Sequence, residues 1–148
     1  MTRPTTQKGS KLLIRLGDGA SPEVFAAPCG LTTKALNFSA SSNEFNVPDC
    51  DDPDAPTWTE RVVSALSAGI TGSGTLAMES LETWREWFLS AQAKNIQVKF
   101  DATGANGGGH YAMSAILSTF NVTGEVGGLC QIEVEMASNG EVTWVPAT

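Results

Sequence analysis

Charge is scarce in this chain. Only 17% of its 148 residues are Asp, Glu, Lys or Arg, below the roughly 25% of ordinary soluble domains. The little charge present is lopsided, with nine basic residues against sixteen acidic ones and a net charge of −7. Such a surface repels phosphate backbones, which disfavours classical nucleic-acid binding. Histidine occurs once, at position 110, so His–His metal sites and most histidine relays are excluded. The cysteines, Cys29, Cys50 and Cys130, are odd in number and lack CxxC spacing, which argues against a zinc site and a disulfide framework; buried free thiols are the expectation. Apolar runs stay far short of the ~20 residues a membrane span needs, and the opening MTRPTTQKGS lacks the apolar centre of a secretory signal. The expectation is therefore synthesis in the cytoplasm and no membrane partner.

What is abundant is small. Fifteen glycines accompany many Ser, Thr and Ala residues, and with so little charge they suggest surfaces that meet other protein. The length fits one domain, which can remove roughly 70% of its unfolded surface from water. The stretch Val62–Met78, VVSALSAGITGSGTLAM, is small and β-favouring for seventeen positions, and runs into the one clear helical pattern. In that pattern Ser80 reads as the N-cap of a helix over 81–94, with Leu81, Trp84, Phe88 and Ala91 as an apolar stripe, Trp87 beside it, and Asn95 as the stop.

Everything else reads as strands. Residues 1–10 are polar and predict a flexible arm. Leu12, Ile14 and Leu16 alternate with Lys11 and Arg15, a turn follows at Gly17-Asp18-Gly19, and Glu23–Ala27 completes a hairpin. In 33–47 the apolar phase changes between Phe38 and Phe45, which predicts a bulge or break near Ser41–Asn43. Residues 48–57, PDCDDPDAPT, hold three prolines and four aspartates and predict an exposed loop. Two strands around Gly69 follow, then the helix. Strands at 96–101, 111–123 and 130–136, an Asn139-Gly140 turn signal and a short strand through Val142 and Trp144 complete the chain. Eight or nine strands and one helix make it mainly β.

Each residue group with chemical potential also has a plainer reading. His110 follows three glycines and has no partner carboxylate or nucleophile signalled in sequence. Gly104–Gly109 leads into a strand and lacks the P-loop lysine, so a linker is the better reading than a phosphate cradle. Asp49, Asp51, Asp52 and Asp54 invite a calcium reading, but Asp54 stands where an EF-hand requires glycine; a solvated loop, or one that docks on a neighbour, fits better. Trp84, Trp87 and Phe88 read as core, not as a cofactor stack. Glu133 and Glu135 point the same way along a strand with no cleft signalled. Neither a catalytic signature nor a cofactor or metal site is expected.

In order, five segments resemble the tail tube (major tail) proteins of long-tailed bacteriophages (siphophages) and gene transfer agents. They are Lys8-Gly9-Ser10-Lys11-Leu12-Leu13-Ile14, Asn43-Glu44-Phe45-Asn46-Val47, Trp58-Thr59-Glu60-Arg61, Ile70-Thr71-Gly72-Ser73-Gly74-Thr75-Leu76, and the closing run from Glu133 to Val142-Thr143-Trp144. The resemblance spans Lys8 to Val145, with no match at 48–57 or Gly104–Gly109. It implies a β-sandwich or small barrel of about eight strands over residues 11–148, flanked by the one α-helix. It further implies a non-enzymatic virion protein whose hexameric rings stack into a tube that conducts double-stranded DNA without sequence-specific binding. Implied partners are further copies of itself and the tape measure, tail terminator and distal tail proteins, and the implied location is the virion tail. Asp49, Asp51, Asp52, Pro53, Asp54 and Trp58 then become candidates for contact between rings, and Gln131, Glu133 and Glu135 candidates for the lumen. The alternatives are a terminator or head–tail joining ring, a β-sandwich binding module, and, last, an enzyme.

Overall fold

The computed structural model describes residues 3–4, 6–19 and 23–147. Of the arm expected over 1–10, residues 1, 2 and 5 lie outside the described residues; the others are exposed and without a strand, ending in a 3-10 turn at Gly9–Lys11. Eight strands and one α-helix follow among the described residues: β1 (Leu12–Gly17), β2 (Phe25–Ala26), β3 (Leu31–Asn46), β4 (Thr59–Thr75), α1 (Met78–Ser90), β5 (Lys94–Phe100), β6 (Gly109–Thr123), β7 (Gln131–Ser138) and β8 (Thr143–Pro146). They form one antiparallel sheet in the order β2-β1-β5-β6-β7-β4-β3, with β8 also on β6.

The long strand β6 is the pivot. Its first half, Gly109–Ala115, pairs β5, and its second half, Ala115–Thr123, pairs β7. A register shift between Leu117 and Thr119 marks a bulge, where the Ser118 hydroxyl donates to the Glu135 carbonyl at 3.1 Å. Bulges bend a strand and increase its twist. The two halves of the sheet thus face each other across a shared core: Ile14 and Val98 from one, Ile70 and Val134 from the other, each at most 2% exposed. The two ends of the sheet meet without closing, through Lys34 Nζ of β3 donating at 2.8 Å to the carbonyl of Leu12, in the part of β1 that the two-residue β2 does not cover. Trp84 (0% exposed) and Trp87 of α1 belong to the same core.

The helix is earlier and shorter than its apolar pattern predicts. Ser80 lies inside it, buried, and its hydroxyl donates to the Cys29 carbonyl at 3.0 Å; Ala77 is the N-cap and offers no side-chain bond. The chain stops at Ala91, which takes the left-handed conformation (φ 56°), while Trp87 Nε1 donates to the Gln92 carbonyl at 3.0 Å. Lys94 and Asn95, read as the helix end, are the start of β5 because its ladder with Ala115 and Ser114 claims them. The buried face runs through Ser80, Trp84 and Trp87, which leaves Phe88 45% exposed.

Three other expectations are corrected. The two strands around Gly69 are one continuous β4, since Gly69 sits in register between Asn37 and Ala137. Asn139-Gly140 does not close a hairpin: β7 and β8 both pair with β6, one after the other. All three thiols are exposed, because Cys29, Cys50 and Cys130 fall in connections between strands.

At Gly74, β4 crosses the turn before β3 so closely that an added Cβ would collide with the Gly30 carbonyl and the Thr32 amide. Gly74→Ala is therefore expected to cost about 1–3 kcal/mol, and Ala91→Gly to gain about 1 kcal/mol by relieving the left-handed alanine. Urea unfolding of the two variants beside the parent chain measures both signs.

Candidate assembly surfaces

Strands β3 and β4 are longer than the body that supports them. From Gly69 to Thr75, β4 pairs β7 on one side and β3 on the other; from Thr59 to Ala68 it pairs β3 alone. The outer pairs, from Phe38↔Ala68 to Asn46↔Thr59, thus form a two-stranded ribbon about 30 Å long at ~3.4 Å per residue. Nearly every residue of it is exposed. Its internal ties are polar and slight: Arg61 Nε to Glu44 Oε1 at 3.1 Å, both side chains about 60% exposed, and the Thr59 hydroxyl to Asn46 Oδ1 at 3.0 Å. An exposed ion pair of this kind contributes less than about 1 kcal/mol, and an isolated two-stranded ribbon is at best marginal in water.

The ribbon nonetheless carries large apolar side chains. Leu66 is 80% exposed, Phe45 50%, and Val62 and Val63 are 58% and 59%. A register shift between Ser41 and Ser42 lies where the sequence pattern breaks, but the extra residue is Ser64 of β4, whose hydroxyl donates to the Ser41 carbonyl at 3.1 Å. Strand β3 keeps its alternation, so Phe45 and Val62 stand on one face and Phe38, Leu66 and Val63 on the other. An exposed apolar area on both sides of a ribbon makes it a candidate interaction surface.

Asp49, Asp51, Asp52, Pro53, Asp54 and Trp58 all sit at the ribbon's tip. The aspartates are exposed, and the loop is organised by the Asp51 amide on Asp49 Oδ1 at 2.9 Å and the Ala55 amide on the Asp52 carbonyl at 3.1 Å. Trp58 is 94% exposed. Among the described residues, no three His, Cys, Asp or Glu side chains converge to hold a metal ion. His110 stands in β6 opposite Lys99 and Val145. The glycine-rich loop folds on itself, with the Gly108 amide on the Thr103 carbonyl at 2.9 Å, and takes a 3-10 turn at Gly104–Asn106 where a phosphate cradle would need a helix start.

Gln131, Glu133 and Glu135 project from the exposed face of β7, and the intervening Ile132, Val134 and Met136 are buried. Their register partners are Thr75, Ser73 and Thr71 on β4, and Thr123, Asn121 and Thr119 on β6. With Thr33 and Ala35 of β3 beside Ser73 and Thr71, this four-stranded face is built from hydroxyls, amides, one alanine and two carboxylates, with no cation in those registers. Both its outer edges lack a strand among the described residues: β3 pairs only β4, and β6 beyond Ala115 pairs only β7. The sequence alone locates the loop and the acidic strand. It misses the ribbon's length and Val62, Val63 and Leu66, although two adjacent valines in an otherwise small-residue strand already put an apolar side chain on each face.

The family model described as phage tail tube protein matches residues 6–144. No curated protein sequence matches the chain. Among solved structures, the tail of an empty gene transfer agent particle with C6 symmetry superposes with a TM-score of 0.78 at 22% identity, over 95% of this chain and 99% of that one. The SPP1 tail tube gives 0.68 at 9% identity, over 95% and 80%. The cap that terminates the anti-feeding prophage tube gives 0.65 at 12%, over 99% and 95%. At such identities structural likeness speaks to the fold, whereas the family model spans nearly the whole chain. With an exposed two-stranded ribbon, two open sheet edges and a match from residue 6 to residue 144, the chain belongs to the phage tail tube protein family.

Proposed function

We propose that the chain forms six-membered rings that stack into the tail tube, the conduit through which double-stranded DNA leaves the particle. The observation that carries this reading is the ribbon: a two-stranded extension with large exposed apolar side chains on both faces. Between neighbours in a ring, the free edge of β3 meets the free edge of β6 and joins the four-stranded faces into one wall. Closing a sheet this way removes the exposed edges that otherwise invite uncontrolled pairing. The ribbon and the tip residues Asp49–Asp54 and Trp58 reach the adjacent ring. The sixfold order is taken from the C6 tail of the similar particle.

The polar face carrying Gln131, Glu133 and Glu135 then lines the channel. Two carboxylates per subunit, repeated around each ring and along the tube, keep phosphates at a distance, so that DNA slides and does not bind. Chemistry plays no part in this role, and no cofactor is needed. The tape measure, terminator and distal tail proteins are the partners at the tube's core and ends, and the subunit is made in the host cytoplasm before assembly. A terminator also presents a ring of this fold, but it stops at one ring, whereas a tube subunit keeps adding rings as concentration rises.

Three outcomes are expected. Deleting residues 48–56 should leave a folded monomer that forms no tubes; normal-length tubes from this variant in negative-stain micrographs would remove the tip from the contact between rings. Leu66→Ser with Phe45→Ser should change monomer stability by no more than about 0.5 kcal/mol each, as exposed sites do, yet abolish polymer in sedimentation. Glu133→Lys with Glu135→Lys should still assemble, but its tubes should retain DNA fragments that parent tubes release at low salt.

A further inference from the structure

A groove of about 780 Å³ lies between the β1–β2 turn and α1, apart from the ribbon and the polar face. Its volume falls within the roughly 300–1,000 Å³ of sites that enclose a ligand or a short side-chain cluster. The floor is apolar, with Leu16, Ala26, Pro28 and Trp87. The rim is acidic. Glu79, Thr83, Glu86 and Ser90 follow one another at steps of three and four along α1 and all face the groove. Glu23 stands opposite, its carboxylate fixed by the Gly19 amide at 3.0 Å and Asn95 Nδ2 at 3.1 Å. Among the described lining residues the one cation, Lys94, is already committed to the Gly17 carbonyl at 3.1 Å. Glu79 and Glu86 have no ion pair or hydrogen bond among the described residues.

We infer that this groove receives residues 3–8 of a second copy of the chain, with Arg3 and Lys8 against Glu79 and Glu86. The inference rests on the ring-and-tube reading for the presence of a neighbouring copy. The segment Arg3-Pro-Thr-Thr-Gln-Lys8 carries two cations and no acid, and its described residues are exposed and without regular structure. It joins β1 at the Leu12 end, while the groove opens at the Leu16–Gly17 end. Six strand residues put roughly 17–20 Å between the two, whereas Lys8 stands only four residues before Leu12, across the Gly9–Lys11 3-10 turn at about 2 Å per residue, so a subunit's own Lys8 falls short of its own groove. An arm at one end of β1 and its receptor at the other make a head-to-tail contact, the kind that propagates from copy to copy. The 48–57 loop is the wrong occupant, since its four aspartates would meet a rim of the same sign.

Charge exchange tests the pairing. Glu79→Lys with Glu86→Lys, and separately Arg3→Glu with Lys8→Glu, should each block tube growth, and the four changes together should restore it. Restoration supports the pairing; tubes from either double variant, or no tubes from the fourfold variant, overturn it. A second measurement does not depend on tubes. A synthetic peptide of residues 3–11 is titrated onto full-length Arg3→Glu/Lys8→Glu chain, read by amide shifts along α1 and at Ala26. Shifts confined to the groove, with affinity about tenfold weaker once Glu79 and Glu86 are lysine and both chains held below the concentration at which tubes grow, support the inference. Absence of shifts, or shifts indifferent to the lysines, overturns it even if the parent chain forms tubes, whereas a parent chain that forms no tubes counts against the tube reading alone.

Discussion

The core of this protein is too short for its strands. Ile70, Val134 and their neighbours can cover β4 only as far as Ala68, yet β4 begins nine residues earlier, at Thr59. Beyond that point β4 has no strand on its outer side among the described residues, and the large apolar side chains of the ribbon stay half-exposed or more, Phe38 at its base touching Tyr111 edge-on. Burying a side chain such as Leu66 or Phe45 contributes roughly 1.5–3 kcal/mol, and the ribbon withholds several such contributions from the monomer. The fold is complete as a hydrophobic unit and incomplete as a surface. That imbalance connects the open edges of β3 and β6, the unsupported tip and the family's role as a polymer.

The same imbalance explains what could be read from the sequence. Where one face of a strand is buried by the chain's own core, alternation is plain: Leu12-Ile14-Leu16 and Ile132-Val134-Met136 locate β1 and β7 to within a residue or two. The acidic loop is equally legible, because proline and aspartate reject both helix and ladder. Where a partner is to supply the cover, the code weakens. Val62, Val63 and Leu66 follow no single period, because each face of the ribbon is apolar in part, and nothing local announces that Gly69 sits inside one unbroken strand.

The helix shows a second limit. Leu81, Trp84 and Phe88 make a convincing stripe, but the buried face turns by one position onto Ser80, Trp84 and Trp87. Two tertiary bonds decide this. The Ser80 hydroxyl on the Cys29 carbonyl holds the first turn against the β2–β3 connection, and the Trp87 indole on the Gln92 carbonyl pulls the chain out of the helix before Lys94. Neither partner is visible from helical periodicity. The thiols follow the same logic: cysteine is among the most buried residue types, yet all three fall in connections, where location outweighs type.

The extra residue at Ser64 has a kinetic consequence. Because β3 keeps its phase across the bulge, the ribbon shows Phe45 and Val62 to one side and Leu66 and Val63 to the other. A two-sided ribbon is only half satisfied by a single neighbour. In the assembly proposed above, the first few subunits to associate would leave one face wet, and the full gain would arrive only when a later subunit closes the other side. Growth of this kind would have an uphill nucleus and a downhill elongation, with free subunits persisting until a template presents both surfaces at once.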